Sequence, residues 1–292
     1  MNFQALPYIL LTGAAFGTNL VALRFAMDQF EPFALAGLRL AVASFAFLLV
    51  YLLDRRHHPW PTDPKLWRHV FLVGTVGTAV PQVATVLSLQ YQSSGITAIL
   101  VATGPAMTVL AAHFALADER LSWRKALGVT AALGGALLLA LRGETGLPDV
   151  TEAQPIGYAL LFLVLICVTF VTIYVRKYMR GVKAFDLVSL QMFVATLWVM
   201  PMVLVLTGVD LQGVSGPGYF ALGFTSLVGN FVAFLLYFYS VQRFGATTAA
   251  MTNYIIPVAA LLGGVLILNE TITAGMMAGM GIIIFGISLV SS

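Results

Sequence analysis

The feature that most constrains this chain is a long internal repeat. Residues 95–122 hold an apolar stretch with Pro105 near its centre and Glu119 near its end, and Pro257 and Glu270 follow about 152 residues later in nearly the same order. The register between the copies holds without gaps for about eighty residues. Because long repeats determine architecture, the sequence predicts two copies of one structural unit.

The repeated unit is apolar almost throughout. Hydrophobic residues make up 60% of the chain and charged residues 9%, against about 25% in soluble domains. Ten apolar segments lie at residues 5–27, 33–53, 67–90, 95–117, 122–141, 155–178, 185–207, 217–242, 246–268 and 272–290. A helix of about 20 residues crosses a hydrocarbon core of about 30 Å. The sequence therefore predicts an all-α integral membrane protein with ten transmembrane helices.

The number of segments fixes the relation between the copies. Each copy contains five segments, an odd number, so the second must enter the membrane from the opposite face. We predict one membrane domain over residues 1–292, with a first repeat at 1–141, a polar linker at 142–154 and a second repeat at 155–292. Two inverted five-helix repeats are typical of secondary transporters.

The basic residues predict the orientation. The loops after the even segments carry twelve Lys and Arg residues and the opposite side carries two, so both termini are expected in the cytoplasm. The first segment has no Lys or Arg before it and no convincing cleavage site, and we expect it to be retained as a helix.

Prolines and glycines separate two kinds of helix. Pro81, Pro105 and Pro257 lie near the middles of segments 3, 4 and 9, where proline removes a backbone hydrogen bond and kinks a helix. We expect these positions to act as hinges. Segments 5 and 10 are rich in glycine and nearly free of polar side chains, which indicates close packing.

These features together carry a family resemblance. Ten helices in two inverted halves, each with Pro followed after 13 or 14 residues by Glu, a short turn and a Gly-rich fifth helix, resemble the drug/metabolite transporter superfamily, EamA family. The chain is most similar to its aromatic amino acid exporters. The resemblance implies a multi-pass protein of the bacterial inner membrane that exports small metabolites, commonly amino acids, as a monomer or homodimer and without a cofactor.

The acidic residues bear on energy coupling. All twelve fall in loops or at segment ends, whereas proton-coupled carriers usually keep an ionisable relay group at mid-membrane. This pattern favours facilitated export by alternating access. A proton-coupled metabolite or drug antiporter is the alternative, and a membrane-embedded enzyme is a distant one because no catalytic, metal-binding or nucleotide-binding motif is present. No metal and no nucleic acid partner are expected; the partners are a small-molecule substrate and the lipid bilayer.

Two positions allow more than one interpretation. Glu119 and Glu270 are interpreted as residues at the start of the next helix, near its positive N-terminal dipole. Arg39 lies inside segment 2, near its predicted outer end, and its repeat equivalent is Gln191. It either extends to the interface or pairs with Asp28 or Glu31, or it faces the cavity and attracts a substrate carboxylate.

The remaining candidates for substrate binding are polar or aromatic residues at mid-depth. A site at the repeat interface would be built on equivalent faces of equivalent helices, and Thr78 corresponds to Asn230 by the repeat offset. Interhelical hydrogen bonding, or packing for the tyrosines, is the alternative role. The candidates lining the cavity are Asn19, Arg39, Thr78, Gln82, Thr103, Asn230, Tyr237, Asn253 and Tyr254.

Overall fold

The protein is described by a computed structural model that covers residues 4–115, 121–148 and 154–291. Ten helices follow one another along it: α1 (Leu6–Ala26), α2 (Pro32–Leu53), α3 (Pro64–Ser88), α4 (Ser94–Ala115), α5 (Trp123–Leu141), α6 (Pro155–Tyr178), α7 (Ala184–Leu206), α8 (Gly216–Phe244), α9 (Ala246–Ala250 and Thr252–Leu268) and α10 (Ala274–Ser291). Among the described residues, nine helices are long and apolar enough to cross a membrane, and α10 is a slightly shorter apolar helix. The predicted ten-helix fold is confirmed.

Local sequence signals set where the helices begin. Proline occupies the first turn of α2, α3 and α6, where its missing N–H costs no helical hydrogen bond. The Glu31 carboxylate accepts a hydrogen bond of 2.6 Å from the Ala34 N–H at the start of α2, and the Ser93 hydroxyl accepts one of 3.1 Å from the Ile96 N–H at the start of α4. These caps satisfy free N–H groups at helix ends.

Glycines allow the closest helix contacts, and they do so symmetrically. On α5, Gly128 lies against the backbone of Gly286 on α10, and Gly135 lies against the backbone of Gly279. Gly128 and Gly135 are the repeat equivalents of Gly279 and Gly286, so each contact is the counterpart of the other. Reciprocal contacts of this kind are the mark of a two-fold interface. The predicted close packing of segments 5 and 10 is therefore present, and it relates the two halves.

A second pair of side chains lies on the same pseudo-two-fold axis. Ser44 on α2 and Thr196 on α7 are 152 residues apart, which is the repeat offset, and their hydroxyl oxygens are 2.8 Å from each other. A residue can contact its own symmetry equivalent only at the axis. The axis thus passes between α2 and α7.

Helices α3 and α8 are irregular at equivalent places. Both contain a π-helical segment, Thr75–Ala79 in α3 and Thr225–Ala233 in α8. Pro81 immediately follows the first segment, but its equivalent in α8 is Ala233. The irregularity therefore recurs without proline. Such segments re-aim the side chains around them and are frequent at functional sites.

Helices α4 and α9 are each interrupted, at different levels. Helix α4 breaks at Ala102 and Thr103, just before Pro105, as a proline-induced kink predicts. Helix α9 breaks at Met251, while Pro257 lies inside the continuous segment Thr252–Leu268. The sequence interpretation of Pro257 as the point of irregularity in α9 does not match this position.

Candidate functional site

Four polar side chains from both repeats meet in the interior of the bundle. They come from α1, α2, α3 and α8, and they are Asn19, Arg39, Gln82 and Asn230, which we call the polar cluster. The Arg39 guanidinium donates through Nη1 to Gln82 Oε1 at 3.2 Å and through Nη2 to Asn19 Oδ1 at 3.2 Å and Asn230 Oδ1 at 3.3 Å. Gln82 Nε2 also donates to Asn230 Oδ1 at 3.0 Å.

The irregular helices position these groups. Asn230 lies within the π-helical segment of α8, and Gln82 follows the π-helical segment of α3 by three residues. The neighbouring Gly229 lets α1 approach α8 so closely that a Cβ at that position would overlap the Asn19 side-chain oxygen. The sequence shows Gly229 only as a repeated glycine, and its role as the contact surface for Asn19 was not predicted.

Arg39 is a buried cation whose described partners are neutral. Its side chain is 1% exposed, so the interfacial position considered from the sequence is wrong. Asp28 pairs instead with Arg24 at 3.2 Å, and Glu31 caps α2. No salt bridge to Arg39 is found among the described residues. Burying an ionised group without a counter-charge is costly, and an ionisable residue in this setting is by default a functional one.

The polar cluster also contains two donors without an acceptor. Arg39 Nε and Asn230 Nδ2 are buried, and neither has a hydrogen-bond partner in the described structure. Buried donors are nearly always paired in native proteins, and these two adjoin a buried charge that has no counter-charge in the described structure.

Three aromatic rings lie next to the polar cluster, about one helical turn or more away along α1 and α8. Phe16 precedes Asn19 by three residues, and Phe234 and Tyr237 follow Asn230. The ring centroid of Phe16 is 5.4 Å from that of Phe234 and 6.3 Å from that of Tyr237, both edge-on. We call these three residues the aromatic wall. Of them, only Tyr237 was a candidate from the sequence.

The other sequence candidates are not members of the polar cluster. Thr78 is buried on α3, and its hydroxyl has no hydrogen-bond partner among the described residues. Thr103 is buried at the break of α4 and donates to the Leu100 carbonyl, while Asn253 donates to the Ala250 carbonyl at the break of α9. Tyr254 packs against an apolar cluster that includes Leu261. The Thr103 and Asn253 side chains thus donate to backbone carbonyls at the points where their helices are interrupted.

Glu270 has a contact that the sequence interpretation missed. It is 7% exposed, and its carboxylate accepts hydrogen bonds from the Ser94 N–H at 2.8 Å, the Ser94 hydroxyl at 2.8 Å and the Gly95 N–H at 3.3 Å. It therefore caps the N-terminus of α4, in the first repeat, rather than that of α10. Its repeat equivalent, Glu119, lies outside the described residues.

Neighbouring loops add to this contact at the same end of the bundle. The Thr271 N–H donates to the Gly146 carbonyl at 3.1 Å, and the Ser93 N–H donates to the Thr145 carbonyl at 2.7 Å. The Thr273 hydroxyl donates to Glu144 at 2.6 Å. The loops that follow α3, α5 and α9 are thus joined by hydrogen bonds, and we call this contact the loop closure.

The described residues contain no group of three or more His, Cys, Asp or Glu side chains that could hold a metal ion. The chemistry available at the polar cluster is that of a fixed positive charge, amide donors and acceptors, and aromatic surface. Such groups bind and orient a small molecule.

Comparison with known proteins agrees with this architecture. The model of the EamA-like transporter family matches residues 4–141 and again residues 155–292. An uncharacterized inner membrane transporter of Escherichia coli K12, YedA, is 28% identical over 297 residues, covering 99% of this chain and 92% of that protein. An uncharacterized transporter of Archaeoglobus fulgidus is 24% identical and covers 96% of both chains.

A solved structure supports the fold independently of these names. One crystal structure superposes with a TM-score of 0.65 at 15% identity, over 96% of this chain and 95% of that one. Since the family model matches both halves of the sequence, and the helices, the repeats and the relatives agree, this chain is a membrane transporter that belongs to the EamA-like transporter family.

Proposed function

We propose that this protein exports small metabolites, in particular neutral or aromatic amino acids, across the bacterial inner membrane by alternating access. The observation that carries the proposal is the polar cluster, because its four side chains come from both repeats and lie where helices of the two halves meet. Sites at repeat interfaces are the general solution in carriers built from inverted repeats. Both termini are assigned to the cytoplasm, by the distribution of basic residues.

The irregular helices support the alternating-access part of the proposal. The π-helical segments of α3 and α8 and the breaks of α4 and α9 lie in equivalent helices of the two halves. Rocking of one half against the other needs places where the backbone can bend, and unpaired backbone in a membrane is tolerated only where protein or water covers it. Pro105 and Pro81 adjoin such places and are assigned as hinges, while Met251 takes that role in α9 in place of Pro257.

The position of the carboxylates supports transport without a proton relay. Every Asp and Glu in the described part of the chain lies in a loop, at a helix cap or in the first turn of a helix, such as Asp186 in α7. Proton-coupled antiport, the second mechanism considered, needs a titrating group that reaches the substrate path. We therefore assign facilitated export.

Counterflow in proteoliposomes tests the proposal. Liposomes loaded with an unlabelled amino acid should accumulate the same labelled amino acid from outside, at equal pH on both sides. We expect accumulation with a neutral or aromatic amino acid and an unchanged rate when a pH gradient is imposed. Complete dependence on the gradient would refute the uncoupled mechanism, and no accumulation with any amino acid would refute the proposed substrate class.

A further inference from the structure

The polar cluster has the properties of an anion site, and we infer that it binds the carboxylate of an amphipathic substrate whose apolar part lies on the aromatic wall. The inference rests on the proposed function, since it assigns a substrate class to the same site. Arg39 carries the charge, Asn230 supplies a second donor, and Asn19 and Gln82 hold the guanidinium in place.

The first argument is the balance of charge and hydrogen bonds. In the described structure the guanidinium is bonded by three amide oxygens, which satisfy Nη1 and Nη2 but add no negative charge. Arg39 Nε and Asn230 Nδ2 remain without acceptors. A carboxylate supplies one negative charge and two acceptor oxygens, so it corrects both deficits. A neutral amide supplies an acceptor but no charge, and an ammonium group supplies neither.

The second argument comes from the other half of the molecule. By the repeat offset, Asn19, Arg39, Gln82 and Asn230 correspond to Val171, Gln191, Phe234 and Thr78, which we call the equivalent cluster. Gln191 and Thr78 are buried like their counterparts, and Gly77 packs against Val171 as Gly229 packs against Asn19. The equivalent helices therefore make the corresponding glycine contact without a charge. Since the fold does not require an arginine at this position, Arg39 is explained better by a ligand than by packing.

The third argument concerns the rest of the substrate. Phe16 belongs to the aromatic wall and lies on α1 three residues before Asn19, which belongs to the polar cluster. Phe234 and Tyr237 follow Asn230 on α8 by four and seven residues, and both rings contact Phe16 edge-on. A molecule whose carboxylate contacts Arg39 could extend its other atoms along α1 and α8 towards the aromatic wall. This favours a substrate with an apolar or aromatic side chain and disfavours one with a charged side chain.

The test uses a pair of ligands that differ only at the carboxylate, together with the corresponding amino acid. Thermal unfolding of the purified full chain is measured with 3-phenylpropanoate, with its neutral analogue 3-phenylpropanamide and with L-phenylalanine. We expect the two carboxylates to raise the melting temperature with saturable dose dependence, and the amide to have no effect. Equal stabilisation by the amide and the carboxylate, or none by either carboxylate, would overturn the inference.

Two substitutions identify the group responsible. Arg39→Gln introduces the residue that the equivalent cluster already accommodates, and Arg24→Gln removes an arginine whose partner is the exposed Asp28. The apparent affinity for 3-phenylpropanoate should fall more than about tenfold in Arg39→Gln, because a charge-assisted bond is lost, and should not change in Arg24→Gln. If Arg39→Gln does not fold, Asn230→Thr, again the equivalent residue, should weaken carboxylate binding. Retained affinity in the folded variant would refute the assignment.

Counterflow separates this inference from the proposed function. If the carboxylates bind through Arg39 and no labelled amino acid accumulates, the anion site stands and amino acid export fails. If labelled phenylalanine accumulates equally in the wild type and in Arg39→Gln, export stands and the anion site is refuted.

Discussion

The polar cluster and the equivalent cluster occupy the same helical framework, yet only one of them is charged. In the polar cluster a guanidinium is surrounded by three amides, while the equivalent cluster has Val171 and Phe234 in place of two of those amides. The backbone irregularities and the close glycine contacts are shared. The irregularities and glycine contacts, which both halves have, are therefore features that the fold needs. The guanidinium and its amides, which only the polar cluster has, are assigned to ligand binding.

The charge also gives the molecule a direction that its symmetry alone lacks. Asn19, Arg39 and Gln82 lie towards the helix ends on the side of the loop closure, where α1 and α3 end and α2 begins. The equivalent residues lie towards the opposite end by the same symmetry. In the proposed alternating-access mechanism one buried charge serves the site from both sides, whereas a second buried charge without a ligand would destabilise the protein.

The largest effect is expected when the missing charge is placed in the equivalent cluster. Gln191→Arg would bury a guanidinium at a position where, by the repeat offset, Val171 and Phe234 replace two of the amide acceptors of Arg39. An uncompensated buried charge costs about 3–5 kcal/mol, so we expect a large fall in the melting temperature and in the yield of folded protein. Thermal unfolding in detergent measures it. Arg39→Gln is the matched control and should keep near wild-type stability; equal stability of the two variants would mean that the clusters do not differ in acceptors.

The second effect tests the glycine contacts. Gly229→Ala would place a methyl group against the Asn19 side chain, and Gly77→Ala would place one against Val171. Each should cost about 1–3 kcal/mol, because neither contact has room for a methyl group. Only Gly229→Ala should weaken the binding of 3-phenylpropanoate, since it displaces a member of the polar cluster.

Gly223, which lies on α8 with Gly229, provides a control for this comparison. A Cβ at Gly223 meets no atom within 4 Å, so Gly223→Ala should change neither stability nor binding. Equal loss of carboxylate binding in Gly77→Ala and Gly229→Ala would show that both clusters contribute to the site.

The third effect concerns the loop closure on the side of the polar cluster. Glu270→Gln keeps an oxygen acceptor for Ser94 but removes the negative charge from the N-terminus of α4. We expect a loss of about 1 kcal/mol, the usual size of such a charge–dipole contact in a partly buried site. Asp210→Asn is the control, because Asp210 is exposed and caps only a loop at Gln212. A thermal shift in Glu270→Gln no larger than in the control would indicate that the contact is incidental.

The sequence predicted the fold well because the fold depends on patterns that a sequence records directly. The length of the apolar segments, their odd number in each repeat and the glycines that recur 151 or 152 residues apart can all be read from the sequence. The resulting ten-helix architecture and family are confirmed. The boundaries of the linker at 142–154, the orientation of the termini and the oligomeric state remain predictions.

The site was predicted only in part, because side-chain direction depends on packing that periodicity does not encode. Asn19, Arg39, Gln82 and Asn230 were all candidates, but depth alone could not decide whether Arg39 faced lipid headgroups or the interior. The π-helical segments, which aim Gln82 and Asn230, have no simple sequence signal. Glu270 was misinterpreted because its partner Ser94 is 176 residues away, whereas Thr273 is close in sequence.

The smallest effect is expected at the pseudo-two-fold axis, where equivalent residues of the two halves contact each other. Ser44→Ala and Thr196→Val each remove one hydroxyl of the 2.8 Å contact and should each cost about 0.6 kcal/mol, a typical value for interhelical hydrogen bonds in membranes. The double variant should cost about as much as one single variant, because both remove the same bond. Additive losses in thermal unfolding would mean that the hydroxyls act independently. Ligand binding should be unchanged in all three variants. Ser44 and Thr196 are repeat equivalents in contact at the axis, so they do not contribute to the difference between the polar cluster and the equivalent cluster.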